Sequence, residues 1–283
     1  MKLLTLNTHS LIEDNYRQKL SDFIVAVSRE RPDVIALQEV NQKQNVAAVP
    51  KDKLGAYISC DPSAVIREGN HALAVAEGLH AFDLVYHWTW LPIKRGYLHY
   101  DEGVAILSRA PMEATDTVRI SRVNDYKNWK TRKLLGARVG DVWFYSIHLG
   151  WWDDPEEPFP AQWAKVNAHM ARRGQVFLMG DFNSPAETRG EGYDLVTRDG
   201  WTDTYTAASV RDNGITVSGR IAGWTHRDLP AEGARVDHIF CNFPCRVSSF
   251  RVVFNGENEP VVSDHFGVLV DIHPSSHEIE VLI

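Results

Sequence analysis

Cysteine is scarce in this chain: Cys60, Cys241 and Cys245 are three among 283 residues. Cys241 and Cys245 flank Asn-Phe-Pro, and no further Cys or His stands at the spacing that zinc requires. That excludes a disulfide scaffold and fits reduced thiols in a cytoplasmic protein. Long apolar runs are missing as well, so no membrane span is expected. The amino terminus, MKLLTLNTHSLIEDN, has one Lys and a short apolar run broken at Thr5, Asn7 and Thr8. This is not the pattern of a secretory signal, and cytoplasmic placement is the expectation. Excess positive charge is absent too: 30 Lys and Arg stand against 37 Asp and Glu, a net charge of −7. No global field therefore draws the chain toward DNA or anionic lipid. Nucleic acid is disfavoured by this rather than excluded, because a bound metal can neutralise a phosphate locally. Low-complexity segments, charge blocks and solenoid repeats are also lacking, and no linker divides the chain, so residues 1–283 read as one domain.

What is present is an alternation of short apolar runs with loops. Residues 2–7 read as a buried strand, residues 15–31 as a helix carrying Tyr16, Leu20, Phe23, Ile24 and Val27 at helical spacing, and residues 33–39 as a second strand after Pro32. This βαβ opening predicts parallel strands with a right-handed crossover. Residues 103–108, 134–139, 142–148, 175–180, 236–241, 249–254 and 266–272 complete the strand set, with a helix near 161–172. The mixture of hairpin neighbours and crossovers predicts an α/β fold of two stacked sheets with helices outside. Met112, Met170 and Met179 read as core filler.

The chemically expressive residues fall at strand ends, where side chains from different strands can meet on one rim of a sheet. Asn7 and Glu39 close the first two strands, and His148 ends VWFYSIH. Asp181 and Asn183 follow QVFLMG, Asp237 starts VDHIF, and Asp264 and His265 precede FGVLVDI. Taken singly, each has a bland reading: Asn7 as a turn-forming Asn, Glu39 as a solvated charge, GDFN as a capped turn. Together they suit hydrolysis of a phosphate ester. A hard cation such as Mg²⁺ or Mn²⁺ prefers oxygen ligands, so Glu39 and Asn7 could hold it. Asp181 is the candidate to orient and deprotonate a water, and Asn183 to hold that water or a phosphoryl oxygen. His148 and His265 could donate to non-bridging oxygens, each needing a carboxylate to fix its tautomer and favour its cationic form. Of the remaining histidines, His9 and His99 are the ones expected to approach the site.

LTLNTH, LQEV, the His of SIHLGW, GDFN, VDHIF and SDHFG, in that order, resemble the successive signatures of the endonuclease/exonuclease/phosphatase superfamily. The resemblance implies a four-layer α/β/β/α sandwich of two mixed sheets with outer helices. It assigns Asn7 and Glu39 to metal binding, Asp181 to water activation, Asn183 to orientation of water or phosphate, and Asp237 with His265 to a carboxylate–imidazole pair. Asp264 matches a position close to the metal. Glu102 matches a Glu that pairs with the histidine equivalent to His148, and Arg132 in KTRKLL resembles an arginine that contacts the scissile phosphate.

That superfamily includes nucleases, sphingomyelinases and small-molecule phosphatases, so the reaction centre does not name the substrate. The long stretch 41–100 and the segment 150–160 are the expected recognition loops. They carry Trp88, Trp90, Tyr97, Tyr100, Trp151 and Trp152, with Trp129 and Trp224 in other predicted loops. Trp151 and Trp152, directly after His148, are the expected substrate contacts, since flat apolar rings suit the faces of a sugar and also stack on bases. The acidic run WWDDPEEP would repel a polyanion while tolerating one small phosphate. HLGWWDDPEEPF, YDEGVAILSR and VVSDHFGV are similar to a bacterial subgroup that includes maltose 6′-phosphate phosphatases. A small phosphorylated sugar is therefore the expected substrate, with a nuclease and a catalytically silent binding module as the alternatives. The acidic-apolar tail HEIEVLI carries no assignment.

Overall fold

The computed structural model describes residues 1–219, 224 and 231–273, so the HEIEVLI tail, His226 and His277 lie outside the described residues. In chain order the elements are β1 (Lys2–Asn7), α1 (Tyr16–Glu30), β2 (Val34–Lys43), α2 (His71–His80), β3 (His87–Gly96), β4 (Tyr100–Ser108), β5 (Ala114–Arg119), β6 (Lys133–Val139) and β7 (Val142–His148). There follow α3 (Phe159–Met170), β8 (Gln175–Asp181), α4 (Gly192–Arg198), β9 (Thr202–Asp203), α5 (Thr204–Ala207), β10 (Ala208–Arg211), β11 (Asp237–Cys241), β12 (Arg246–Val253) and β13 (Gly267–His273). The strands form a seven-stranded sheet, β10-β12-β13-β1-β2-β4-β3, and a six-stranded sheet, β5-β6-β7-β8-β11-β9.

The period-two alternation of β1 builds two layers of core at once. Leu3 points between the sheets, where it joins Ala36, Ile106, Phe144, Phe177 and Val270. Leu4 and Leu6 point outward, beneath Phe23, Ile24 and Val27 of α1 and Leu73 and Val75 of α2. On the far side Trp163, Val166 and Met170 of α3 and Val196 of α4 cover Tyr145, Ile147 and Leu178 of the second sheet. Strands buried on both faces lose the polar half of the usual alternation, which is why QVFLMG is a nearly continuous apolar run and why consecutive Leu3 and Leu4 are both buried in KLLTLN. The result is the expected four-layer α/β/β/α sandwich.

Of the three parallel pairs among the described residues, β1 with β2 and β7 with β8 are each joined by a helix, and β10 with β12 lies at the edge of the first sheet. Asn7, His148 and Asp181 are the last residues of β1, β7 and β8. Glu39 stands one residue past the pairing with β1 but inside β2, which runs on to Lys43, so the expected end of the second strand at Glu39 is corrected. The antiparallel neighbours begin at the same edge: Asp237 opens β11 directly opposite Asp181, and β13 starts just beyond His265 beside the end of β1. Strand register alone thus gathers these residues.

The reading of residues 41–100 as one long recognition loop is corrected by α2 and β3. Asn70 caps α2 by accepting from the Leu73 N–H at 3.1 Å. Trp88 and Trp90 are buried on β3, and their indoles donate to the Leu54 and Val40 carbonyls. Pro92 disguises the strand in sequence, and it is tolerated because β3 is a sheet edge. Among the described residues no helix is long and apolar enough to cross a membrane, and the three cysteines form no disulfide.

Candidate active site

Two backbone irregularities aim the carboxylates. Between Leu37 and Val40 the pairing of β2 with β4 shifts, so that Gln38 and Glu39 together face the single residue Val104. Glu39 takes a left-handed φ of 51° at this bulge, which turns its side chain to the rim. Asn183, with φ 48°, turns the chain after β8, and its N–H donates to Asp181 Oδ1 at 2.8 Å. Asn tolerates that conformation better than most residues. Gly180 has φ 145°, and a Cβ there would overlap the Ile147 carbonyl, so GDFN needs its glycine for close approach of β8 to β7.

Asn7 ties the two carboxylates together, its Nδ2 donating to Glu39 Oε1 and to Asp181 Oδ2, each at 3.1 Å. Asp181 Oδ2 also lies 3.5 Å from His148 Nε2 and 3.9 Å from His265 Nε2. His265 Nδ1 is 2.8 Å from Asp237 Oδ2, and Asp237 Oδ1 has no hydrogen-bond partner among the described residues. Burial lifts the Asp181 carboxyl to about 7, with the nearby His265 opposing and Asp237 adding to the rise. Burial alone would depress His265. The charge and hydrogen bond of Asp237, with Asp181 and Asp264, outweigh it and raise the imidazole to about 10. His148 is pushed the opposite way, well below its usual range, by burial, then by Arg132 and Lys94, then by His265. At neutral pH these shifts favour a cationic His265, which has Asp237 as the carboxylate the cationic form needs, and a neutral His148.

The expected pairing of Glu102 with His148 is corrected too. Glu102 Oε1 accepts from Lys94 Nζ at 3.0 Å, while the recorded carboxylate neighbour of His148 is Asp181. Lys94 escaped sequence reasoning, and nothing in WTWLPIKRG marks it out. Asn183 is also more committed than expected. Its Oδ1 accepts from the indoles of Trp151 at 3.0 Å and Trp224 at 2.9 Å, and its Nδ2 donates to the Leu149 carbonyl at 2.9 Å. Both lone pairs of the amide oxygen are thereby taken, and the second Nδ2 hydrogen points to Asp181 Oδ2 at 3.4 Å, so the amide holds two rings and has neither donor left over for a phosphoryl oxygen.

These groups line a cavity of about 240 Å³ whose wall includes Glu39, Lys94, Arg95, Glu102, Arg132, His148, Asp181, Asp264 and His265, with Tyr97, Trp129, Trp151 and Trp224 at its mouth. Asp237 stands behind His265, and Asn7 behind Glu39 and Asp181. Trp152 does not line it. The ring packs against Phe159 in the cluster under α3, so its expected substrate contact is corrected. His99 and Tyr100 are outside the lining as well, whereas His9 reaches the rim by a 2.8 Å contact of Nε2 with the Tyr97 hydroxyl.

The acidic run after His148 is partly tied into the protein. Asp154 binds Lys130 at 2.8 Å and accepts from the N–H groups of Glu156 and Glu157. Buried Glu157 accepts from the N–H groups of Arg122 and Val123. These bonds fasten the loop to the segment bearing Trp129 and Arg132, and Lys130 is the one cation they set against the four carboxylates of the run among the described residues.

The donor set fits a hard divalent cation. Burial raises the Glu39 carboxyl, and the nearby Glu102 and Asp264 raise it further against the opposing His9 and Lys94, while among the described residues Glu39 makes no salt bridge. A cation beside Glu39 and Asp264 would relieve that crowding with oxygen ligands alone, and the Asn7 amide, whose Oδ1 accepts from the His9 N–H at 3.3 Å while Nδ2 faces Glu39, would add its oxygen on turning over. Asp264 is partly exposed, with its N–H on Glu13 Oε1 at 3.2 Å and Oδ1 4.0 Å from His9 Nδ1.

Comparison with known proteins agrees with this geometry. Residues 4–265 match the family model described as Endonuclease/Exonuclease/phosphatase family. A solved family protein from Leptotrichia buccalis is 31% identical, with a TM-score of 0.85 and coverage of 97% of this chain and 100% of that one. A Bacteroides thetaiotaomicron mannosyl-6-phosphatase is 15% identical over 97% and 100% of the two chains, with a TM-score of 0.60. A Neisseria 3′ phosphatase bound to product DNA hairpin is 20% identical, again over 97% and 100%, at 0.61. No curated protein matches the chain.

Proposed function

The chain belongs to the endonuclease/exonuclease/phosphatase family, whose members hydrolyse phosphate esters, and on that premise we propose that it is a divalent-cation-dependent phosphomonoesterase acting on a small sugar phosphate such as maltose 6′-phosphate. The observation that carries this reading is the cavity: 240 Å³, walled by buried cations and rimmed by aromatic rings. Sites for drug-sized ligands span about 300–1,000 Å³, so this one suits a single phosphorylated sugar better than a polymer. Ring faces at the mouth complement the apolar faces of a sugar. The likeness to the maltose 6′-phosphate phosphatase subgroup and to a mannosyl-6-phosphatase points the same way.

When bound by Glu39, Asn7 and Asp264, Mg²⁺ or Mn²⁺ supplies Lewis-acid stabilisation of the phosphoryl group and its leaving oxygen. Asp181 takes the proton of the attacking water, and a carboxyl lifted to about 7 is matched to that task near neutrality. His265, held cationic by Asp237, donates Nε2–H to a phosphoryl oxygen as charge builds, and neutral His148 offers a second donor. Arg132 adds fixed positive charge, and Asn183 holds Trp151 and Trp224 over the site. Purified protein with Mg²⁺ should release inorganic phosphate from maltose 6′-phosphate and stop when EDTA is added. No release from any sugar phosphate would sink the proposal.

One observation favours a second reading. Since Lys130 pairs with Asp154, and buried Glu157 is turned away from solvent, the rim repels a nucleic acid somewhat less than its sequence suggests. A terminal phosphomonoester of DNA is then the competing substrate, and release of phosphate from a 3′-phosphorylated oligonucleotide faster than from sugar phosphates would establish it.

A further inference from the structure

Lys94 sits on β3 where regular alternation would have turned it away from the site. Leu91 and Ile93 face the space between the sheets, so Lys94 should face the helices. The pairing of β3 with β4 shifts between Pro92 and Lys94, which sets Lys94 directly opposite Glu102. A one-residue insertion reverses the face of every residue beyond it. Ile93 and Lys94 therefore both face inward, and the ammonium enters the cavity.

There it is 7% exposed and makes two contacts, to Glu102 Oε1 at 3.0 Å and to the Trp129 carbonyl at 3.1 Å. Arg132, 5% exposed, donates NH1 to the same Trp129 carbonyl at 3.1 Å, and its Nε has no hydrogen-bond partner among the described residues. Two buried cations thus converge on one backbone oxygen and line the same cavity. An ammonium has three donors, so Lys94 retains one beyond these two bonds, and the Arg132 Nε–H is also uncommitted. A buried donor without an acceptor is costly, and an incoming anion would satisfy it. Glu102 forms an ion pair with Lys94, whereas Arg132 makes no ion pair among the described residues and feels the carboxylates of Glu102, Glu39 and Asp181 only through space.

We propose that Lys94, with Arg132, binds the third terminal oxygen of a phosphomonoester and so makes the site select monoesters over diesters. A monoester carries three terminal oxygens and close to two negative charges at neutral pH, as on a phosphorylated side chain. A diester carries two terminal oxygens and one charge, and leaves the Lys94 donor unmet. This rests on the phosphomonoesterase reading above and names the residue that enforces it.

The test compares wild type, Lys94→Met and the double variant Lys94→Met/Glu102→Gln in Mg²⁺, the last removing the carboxylate that the first would strand. Hydrolysis of p-nitrophenyl phosphate and of bis(p-nitrophenyl) phosphate is measured, with calorimetric binding of inorganic phosphate and thermal melting. Both variants should bind phosphate about 10- to 100-fold more weakly, and their kcat/KM ratio of monoester to diester should fall by a similar factor. Unchanged phosphate binding in either variant, or a diester rate that falls as far as the monoester rate, overturns the assignment. Recovery of wild-type phosphate affinity in the double variant also overturns it, since Lys94 would then only neutralise Glu102. If wild type prefers the diester, the monoesterase reading fails and monoester selection fails with it. Loss of phosphate affinity in both variants would then support only the narrower role of Lys94 as a phosphate-binding cation. Should a variant melt far below wild type, Lys94→Arg takes its place and should keep most of the phosphate affinity; its failure to do so counts against the assignment.

Discussion

His265 Nδ1 lies 2.8 Å from Asp237 Oδ2, and both side chains are buried. The contact fixes the tautomer of His265 and leaves its Nε2 facing Asp181, with the carboxylate maintaining the positive charge that burial alone would remove. Replacing Asp237 by Asn keeps the shape and removes that charge. Turnover should fall about 100-fold or more with little change in the circular-dichroism spectrum. A variant within threefold of wild type would remove the pair from the mechanism.

Asn183 organises the aromatic rim through the two indole N–H groups it accepts. Asn183→Ala leaves both indoles without that acceptor, so the rings should shift and KM should rise. Tryptophan fluorescence reports the change directly, and the emission of the free protein should alter even before substrate is added. An unchanged spectrum together with an unchanged KM would contradict this role.

Gly180 is where β8 passes closest to β7. A methyl group there meets the Ile147 carbonyl while the backbone holds φ at 145°. Gly180→Ala should cost about 3 kcal/mol or more, from backbone strain and the clash together. Urea denaturation measures it, and a loss below about 1 kcal/mol would mean that the strands separate without penalty.

His71 provides a stability test away from the chemistry. It is buried beneath α1, its Nδ1 lies 3.0 Å from the Tyr16 hydroxyl, and burial lowers its pKa to about 4. An unfolded histidine titrates near ~6.5. Between those values the unfolded chain binds the extra proton, so stability is full above the unfolded pKa and falls as pH drops toward 4. The contribution approaches about 3 kcal/mol. Urea midpoints of wild type and His71→Leu, compared from pH 7.5 to 4.5, should show the steeper decline in wild type. Parallel curves would contradict it.

Much of the candidate site was legible because Asn7, His148, Asp181 and Asp237 are terminal residues of strands and Asp264 and His265 stand just before β13, and strand ends can be read from apolar runs. Glu39 was found where the apolar run stops, although β2 continues to Lys43. What was not legible depends on register and pairing. The bulges that turn Glu39 and Lys94 inward are relations between two strands, and neither strand shows them alone. Glu102 was matched to His148 when its contact is Lys94, because a partner across an edge strand is invisible in a one-dimensional pattern. Trp88 and Trp90 looked like recognition residues because Pro92 and the neighbouring histidines resemble a loop, yet the edge position of β3 accommodates the proline. Trp151 and Trp152, adjacent in sequence, separate to opposite fates, the first over the cavity and the second against Phe159. The WWDDPEEP charges read as facing solvent, whereas Asp154 is paired with Lys130 and Glu157 is buried on backbone N–H groups.

The central claim, a sugar phosphomonoesterase with Asp181 as its base, is tested most directly by one head-to-head assay. Wild type and Asp181→Asn are supplied, in Mg²⁺, with maltose 6′-phosphate, a 3′-phosphorylated oligonucleotide and supercoiled plasmid. The account predicts that wild type hydrolyses the sugar phosphate with a kcat/KM about 100-fold or more above either nucleic acid, and that Asp181→Asn loses this activity while remaining folded. Plasmid nicking or oligonucleotide dephosphorylation at lower enzyme concentration than any sugar-phosphate hydrolysis, abolished in Asp181→Asn, would contradict the substrate. Full activity in Asp181→Asn would contradict the mechanism.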